Sequence, residues 1–429
     1  METEAAAEAP KRGRVRWIVC GLLFFATTVN YVDRQALGIL KPVIQQDLHW
    51  TEADYAWIVF AFQFAYAIAM PAAGRLIDWL GTRAGYALAV VVWSAASMSH
   101  AAAGSVWQFA SARFGLGVGE AANFPAALKA VANWFPEKER ALATGIFNSG
   151  SNIGAIAAPL LVEVVAVRFG WRSTFLATGS LDLIWLAAWL LYFRRPEEHP
   201  SISKAELSYI LAGRPKEPSL RIPYSKLLGH RGAWAFMTGK FLTDPVWWFF
   251  LFWIPGFLHD AYGLNLTQLG PPLVAIYLAA DAGSIFGGYL SSGLIARGWN
   301  LNRARKTAML VCACAAVPIV SLIAVRGLWP AVGLIALAAA AHQGWSANLY
   351  TMVADSFPRA AVASVVGMGG LAGAISGMLI SPVVGYWLDF SHGAYRPLFM
   401  AAGAAYLIAL AAIHSLQRSS QRSPARIGS

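Results

Sequence analysis

The chain has 429 residues, of which 57% are hydrophobic and only 13% charged, whereas a soluble domain carries about 25% charged residues; a water-soluble fold is excluded and the bilayer is the solvent. Its formal charge of +11 is spread between long apolar runs rather than gathered on one domain, which points to membrane topology and anionic headgroups and not to nucleic acid. Cys20, Cys312 and Cys314 lie in apolar runs, the last two on different sides of a helix, so neither a disulfide framework nor a zinc site is expected.

A helix needs about 20 apolar residues to cross the hydrocarbon, and twelve such stretches follow one another. Residues 1–15 are acidic and then basic, without a small-residue cleavage site. They are read as a cytoplasmic tail before an uncleaved first anchor, not as a signal peptide. Spans are predicted at 16–40, 54–79, 85–104, 106–130, 139–165 and 172–193, a first six-helix bundle over 16–193. The polar segment 194–230, with Arg194, Arg195, Glu197, Glu198 and the capping-box pattern Ser203-x-x-Glu206, is a cytoplasmic linker. Spans at 231–258, 271–296, 307–325, 329–355, 361–389 and 395–416 make the second bundle over 231–416, followed by a cytoplasmic tail at 417–429. Most of the 33 Lys and Arg residues fall at the end that carries both termini. Lys41, Arg168, Arg172, Arg326 and Arg396 fall in the opposite loops, so both termini are expected in the cytoplasm. The sequon Asn265-Leu266-Thr267 carries no weight, since short sequons occur by chance.

An offset of 222 residues takes Phe135-Pro136 to Phe357-Pro358, Ala141 to Ala363 and Gly145 to Gly367. Between spans two and three stands Gly74-Arg75-Leu76-Ile77-Asp78-Trp79-Leu80-Gly81-Thr82-Arg83. Its glycines let two helices and a turn approach closely, and Asp78 and Arg83 are placed to pair across the turn as a conformational latch. The motif resembles the cytoplasmic signature loop of the major facilitator superfamily. That resemblance implies an all-α integral membrane fold, twelve transmembrane helices as two pseudo-symmetric six-helix bundles, with the site between them near the midplane. The loop after span eight, Gly288-Tyr289-Leu290-Ser291-Ser292 and then Arg297, has a serine where the first copy has Asp78, so any charged latch there is expected to be weaker.

An ionisable side chain at bilayer depth costs about 3 kcal/mol on insertion scales, so the exceptions mark the cavity. Asp33 and Arg34 follow Asn30 and Tyr31 in span one. Arg113 and Glu120 in span four are two helical turns apart and share a face, with Gly115, Gly117 and Gly119 between them favouring a tightly packed neighbour. Lys240 and Asp244 in span seven share a face with Trp248, and Pro245 frees a backbone carbonyl there. A guanidinium holds an anion bidentately, while a carboxylate in a low dielectric takes up and releases a proton. This is hardware for proton-coupled anion import; the alternative is that Asp33, Arg34, Arg113 and Glu120 only neutralise each other as helix packing. Asp182 and Asp281 lie further from this arrangement, each either in the cavity or in a local polar contact. Under the 222-residue offset Glu120 falls on His342, whose imidazole is placed to bond a hydroxyl, to sense the proton or to pack.

Asn30-Tyr31-x-Asp33-Arg34, Phe62-Gln63-Phe64-x-Tyr66 and Arg113-x6-Glu120-x-x-Asn123-Phe124-Pro125 resemble the anion:cation symporter family. Within it, the runs Lys240 to Phe250 and His342-Gln343-Gly344-Trp345-Ser346-Ala347-Asn348 look like the bacterial hexuronate transporters. The resemblance implies that Arg34 contacts a substrate carboxylate, that Asp33 and Glu120 take protons, and that Arg113 partners Glu120. Tyr31 and Tyr66 would line the site, with Lys240, Asp244, Trp248, His342, Gln343, Trp345 and Asn348 facing it from the second bundle. The chain departs from the galactonate-type carriers at Gly370, which stands where they place a substrate-contacting asparagine, and at Asp182, where a small residue is expected. The expectation is therefore a proton symporter of a hexuronate, glucuronate or galacturonate, in the bacterial inner membrane, working by alternating access as a monomer among membrane lipids. Another organic anion (galactonate, glucarate or an aromatic carboxylate) is the nearest alternative, and a membrane sensor that has lost turnover is a second. No phosphate loop, metal cluster or nucleophile triad is visible, so no cofactor and no enzymatic activity are expected.

Overall fold

The computed structural model describes residues 13–212, 224–357 and 359–418. Among them fourteen α-helices follow one another: α1 Val15–Leu48, α2 Glu52–Ser99, α3 Val106–Glu120, α4 Asn123–Trp134, α5 Glu137–Phe169, α6 Trp171–Tyr192, α7 Lys204–Ala212, α8 Tyr224–Leu228, α9 Arg231–Tyr262, α10 Leu266–Ala296, α11 Leu301–Ala316, α12 Leu328–Ser356, α13 Arg359–Phe390 and α14 Arg396–Arg418. Nine helices among the described residues are long and apolar enough to cross a membrane. The twelve expected spans map onto these helices with three changes of outline. Spans two and three are the two limbs of α2, separate helices that meet at Gly81, whose non-helical φ of 79° and ψ of 158° suit a residue without a Cβ. Span four is broken into α3 and α4 at Ala121–Ala122, just after Glu120. Span nine finishes as a 3-10 segment, Val317–Ala324, with Pro318 in its first turn.

Long apolar helices pack here through small residues. Gly117 of α3 lies so close to α2 that a Cβ there would sit 2.5 Å from the Phe62 carbonyl, and a Cβ on Gly119 would sit 2.7 Å from the Trp93 backbone nitrogen. The two glycines thus let α3 press on both limbs of α2, as the spacing suggested. The second half repeats the device with Gly283 and Gly287 of α10 against Ala340 and Gly344 of α12.

Among the described residues the halves are joined mainly toward one end. At the end away from the termini, a single apolar core joins Val32 to Ile44 of α1 and Trp50 to Val59 around the start of α2 with Val246 to Leu258 of α9. Tyr55 Oη donates to the Phe252 carbonyl at 2.8 Å, Trp57 Nε1 to Tyr386 Oη at 3.0 Å, and Ser381 Oγ to Gln63 Oε1 at 2.8 Å. Asp389 of α13 accepts from the backbone N–H groups of Glu52 and Ala53, at 2.9 and 2.7 Å. Lys41, read from the sequence as a loop cation, instead lies inside α1, fully buried and paired with Glu52 at 2.6 Å. At the end bearing the termini the N-terminal half has its own separate core, around Cys20, Trp93, Trp134, Trp185 and Trp189. There Gly74 and Gly145 meet nothing within 4 Å of a built Cβ, nor do Gly288, Gly367 and Gly370 from the other half. The cleft between the halves opens toward this end.

The linker does more than connect. Ser203 Oγ accepts from the Glu206 N–H at 3.1 Å, half of the expected capping box. The other half is not made, because the fully buried Glu206 carboxylate turns away to α1. It accepts from the Val15 and Arg16 N–H groups at 3.3 and 3.2 Å and from Arg16 Nη1 at 2.9 Å. A carboxylate is favoured there by the free N–H groups and positive end of α1. Asn265 is likewise a helix cap, bonded to the Gln268 N–H. Cys312 is buried and Cys314 exposed, on different sides of α11, and all three cysteines are free.

Candidate functional site

Arg34 sits midway along α1 where the halves begin to separate. Its Nε and Nη2 both donate to Glu120 Oε2 of α3, at 3.1 and 2.7 Å, and both residues are buried. Aromatic rings box the guanidinium: Tyr31 at 4.8 Å, Phe62 and Tyr66 at 5.2 Å, and Trp248 at 5.9 Å from the opposite half. Cation–π attraction of this kind strengthens as water is removed. Glu120 therefore pairs with Arg34 and not, as expected, with Arg113. Seven residues are two turns, about 10 Å along the axis, so Arg113 and Glu120 share a stripe of α3 but are too far apart for a short contact. Arg113 Nη1 donates to the Arg34 carbonyl at 3.3 Å instead, and its Nε and Nη2 have no hydrogen-bond partner.

Asp33 is next to Arg34 in the chain yet looks elsewhere, since successive helical residues diverge by about 100°. Its Oδ1 accepts from Ser97 Oγ at 2.6 Å, and Ser97 in turn touches Thr178 Oγ1 at 3.2 Å. The carboxyl of Asp182, on α6, is its neighbour. Asp182 thus belongs to this cluster, contrary to the expectation that it lay further off; Ser97 links Asp33 to Thr178, one turn before Asp182 on α6. Asp281 is half-buried on α10 and stands apart.

Across the cleft, Lys240 Nζ pairs with Asp244 Oδ2 at 2.8 Å and lies 4.9 Å from the ring of Tyr350. Gly373 and Gly377 of α13 make room for this face: a Cβ at the first would strike Asp244, and at the second Trp248. His342 Nδ1 bonds Tyr406 Oη at 2.9 Å, and its ring stacks on Trp247 at 5.1 Å. Two of the residues expected to face the substrate are otherwise engaged. Trp345 is wholly buried in the core, edge-on to Tyr406. Asn348 donates from Nδ2 to the Gly287 and Gly344 carbonyls, at 2.8 and 2.9 Å, and so fastens α10 to α12. Gln343 is half-buried. Phe62 and Trp247 were named only as members of the span-two and span-seven motifs, and Ser97, Thr178, Tyr350 and Tyr406 were not singled out from sequence at all; they are ordinary apolar or hydroxyl residues until the helices are packed.

The family model described as Major Facilitator Superfamily matches residues 23–379. The chain belongs to the Major Facilitator Superfamily. It is therefore built as a membrane transporter, not as an enzyme. It is 34% identical to the "Hexuronate transporter" of Escherichia coli (strain K12) over 391 residues, 90% of each chain. It is 37% identical to the "Galacturonate transporter" of Dickeya chrysanthemi over 280 residues, 64% of this chain and 81% of the relative. In fold it resembles a bacterial homolog of the human lysosomal transporter Spinster in an inward-facing, unoccupied conformation, with a TM-score of 0.77, 18% identity and coverage of 98% of this chain and 100% of the other.

The superfamily loop between the two limbs of α2 is wired differently from the expected Asp78–Arg83 pair. Asp78 Oδ1 pairs with Lys129 of α4 at 2.7 Å, and Lys129 also donates to the Ile77 carbonyl at 2.9 Å. Arg83 Nη2 donates to the Leu190 carbonyl near the end of α6. The bend at Gly81 sends the two side chains to different neighbours. In the second half the charge is not lost with the serine: Arg305 of α11 pairs with Asp355 at 3.0 Å and donates to Ser291 Oγ at 2.6 Å.

Proposed function

We propose that this chain is a proton-coupled symporter that imports a hexuronate, glucuronate or galacturonate, by alternating access. The observation that carries this reading is the Arg34–Glu120 pair in its aromatic box at the mouth between the halves. With the carrier empty, Glu120 occupies the guanidinium. A substrate carboxylate offers the same fork-shaped partner and displaces Glu120, which then gains a proton. Anion and proton thereby favour each other's binding, which is the coupling symport requires. From the other side, the Lys240–Asp244 pair and the face of Trp248 suit hydroxyls and the C–H face of a sugar ring. The names of the relatives support a sugar acid with one carboxylate.

In this reading the end bearing the termini is cytoplasmic, the membrane is the bacterial inner membrane, and the carrier is a monomer among lipids. Its partners are the organic anion and the proton, with no nucleic acid. The open cleft then faces inward, ready to release substrate. The test is uptake of radiolabelled glucuronate and galacturonate into proteoliposomes under an imposed inward proton gradient. Accumulation that collapses with a protonophore is expected; uptake indifferent to the gradient overturns the coupling, and no uptake of either sugar overturns the substrate.

A further inference from the structure

Five ionisable side chains are buried together in the N-terminal half: Asp33, Arg34, Arg113, Glu120 and Asp182, none more than 5% exposed. Arg34 and Glu120 pair through Glu120 Oε2, while Glu120 Oε1 has no hydrogen-bond partner. Asp33, Asp182 and Arg113 remain: the two carboxyls are neighbours on α1 and α6, with Ser97 Oγ bridging Asp33 Oδ1 to Thr178 Oγ1, one turn before Asp182, and Arg113 Nε and Nη2 have no hydrogen-bond partner. Around them stand Ser97 and Trp93 from the second limb of α2, Thr178 on α6, and Arg113 and Glu120 from α3. Ser97 Oγ donates to Asp33 Oδ1. Asp33 Oδ2, both oxygens of Asp182 and the Trp93 indole Nε1 are buried without a hydrogen-bond partner. With all five groups ionised, the cluster carries one more negative charge than positive. An uncompensated charge at this depth is costly, and two neighbouring carboxylates in a low dielectric repel each other unless a proton lies between them.

We propose that Asp33 and Asp182 form one proton-binding unit, in which the O–H of one carboxyl donates to an oxygen of the other. The proton arrives from water on one side of the membrane, stays between α1 and α6 next to Arg34 while the cleft changes sides, and leaves to water on the other. No bond other than that O–H is made or broken. This rests on the proton-symport reading above and adds Asp182 to it. The unit lies one residue from the anion-binding arginine, so movement of α1 on substrate binding reaches it directly.

The test compares wild type, Asp33→Asn, Asp182→Asn and the double variant in proteoliposomes, measuring gradient-driven glucuronate accumulation, the pH midpoint of uptake, and counterflow at equal pH. Asp182→Asn preserves size and removes the second acid. Accumulation is expected to fall at least about tenfold while counterflow persists, and the midpoint to move by about one pH unit toward acid, because the repulsion that holds the proton is gone. The double variant is expected to lose no more than Asp33→Asn alone, since a shared proton is lost once. An unchanged midpoint and accumulation in Asp182→Asn, or independent losses that multiply in the double variant, overturns the pair. If wild type ignores the proton gradient, it is the symport reading that fails. Should Asp182→Asn not assemble, Asp182→Glu is expected to accumulate substrate with a displaced midpoint, and a wild-type midpoint there overturns the pair equally.

Discussion

Arg34 illustrates why single residues in this chain are informative. A guanidinium keeps its charge at any physiological pH and presents a flat fork, and here it is ringed by Tyr31, Phe62, Tyr66 and Trp248 with Glu120 as its counter-ion. Lysine at this position keeps the charge but gathers its three donors on one compact ammonium, with no planar fork to stack or to match a carboxylate. Arg34→Lys is therefore expected to weaken glucuronate binding by about 1.5–3 kcal/mol, the range for a hydrogen bond to a charged group, or roughly 10- to 100-fold in Kd. Calorimetry on purified protein reads this directly, and wild-type affinity would remove Arg34 as the carboxylate ligand. Glu120→Gln is expected to abolish uphill accumulation while leaving some exchange, because the amide still bonds Arg34 but takes no proton; unchanged concentrative uptake in proteoliposomes would dismiss Glu120 from the coupling. Asp33, Arg34, Arg113 and Glu120 were legible in the sequence because charge inside an apolar span is conspicuous. Their pairing was not, since whether Glu120 meets Arg113 or Arg34 depends on where α1 crosses α3. Asp182 was misjudged for the same reason: nothing in its own span says that it lies opposite Asp33.

The element scale shows how close approach between helices is bought with glycine. Gly117 permits contact between α3 and the first limb of α2, where a Cβ would come within 2.5 Å of a backbone carbonyl and 3.0 Å of Ala65 Cβ. Backbone cannot swing aside as a flexible side chain does, so the helices must part. Gly117→Ala is expected to destabilise the N-terminal half by about 1–3 kcal/mol, the usual cost of overpacking, visible as a lower melting temperature of the detergent-solubilised protein. Gly145→Ala, inside α5 with open space around its Cβ, serves as the control and should melt at or slightly above wild type, since alanine is the better helix former; equal melting of both would show that the crossing has slack. The glycine run of span four was readable as a packing face from composition and spacing alone. The break of that span at Ala121–Ala122 and the docking of α7 under α1 through Glu206 were not anticipated. The break does have a local signal that was passed over, since Pro125 of α4 has no N–H for the Ala121 carbonyl four residues back and its ring crowds it, whereas the Glu206 contact joins residues 190 positions apart.

For the whole molecule, the all-helical superfamily fold was legible because its spans are long apolar runs, whereas the conformation was not: the same sequence must be stable open to either side. What selects the present state is the seal between α2, α9 and α13, and one part of it acts without being needed for folding. Asp389 of α13 accepts from the Glu52 and Ala53 N–H groups at the start of α2. That helix already has its own cap, with Thr51 Oγ1 accepting from the Asp54 N–H and the Asp54 carboxylate from the Thr51 N–H. The Asp389 bonds therefore exist only while the halves are joined at this end. A carboxylate at a helix N-terminus is worth about 0.5–2 kcal/mol, and removing it from one state of a two-state carrier shifts the population by roughly 2- to 30-fold. Asp389→Ala is expected to move the equilibrium toward opening of the sealed end without loss of stability in the helix itself. Spin labels at the exposed positions Trp107 and His392, in a background with Cys20, Cys312 and Cys314 replaced by serine, should then show a larger long-distance population than the same pair with Asp389 intact. An identical distance distribution in both would mean that the apolar contacts of Tyr55, Trp253 and their neighbours hold the seal alone.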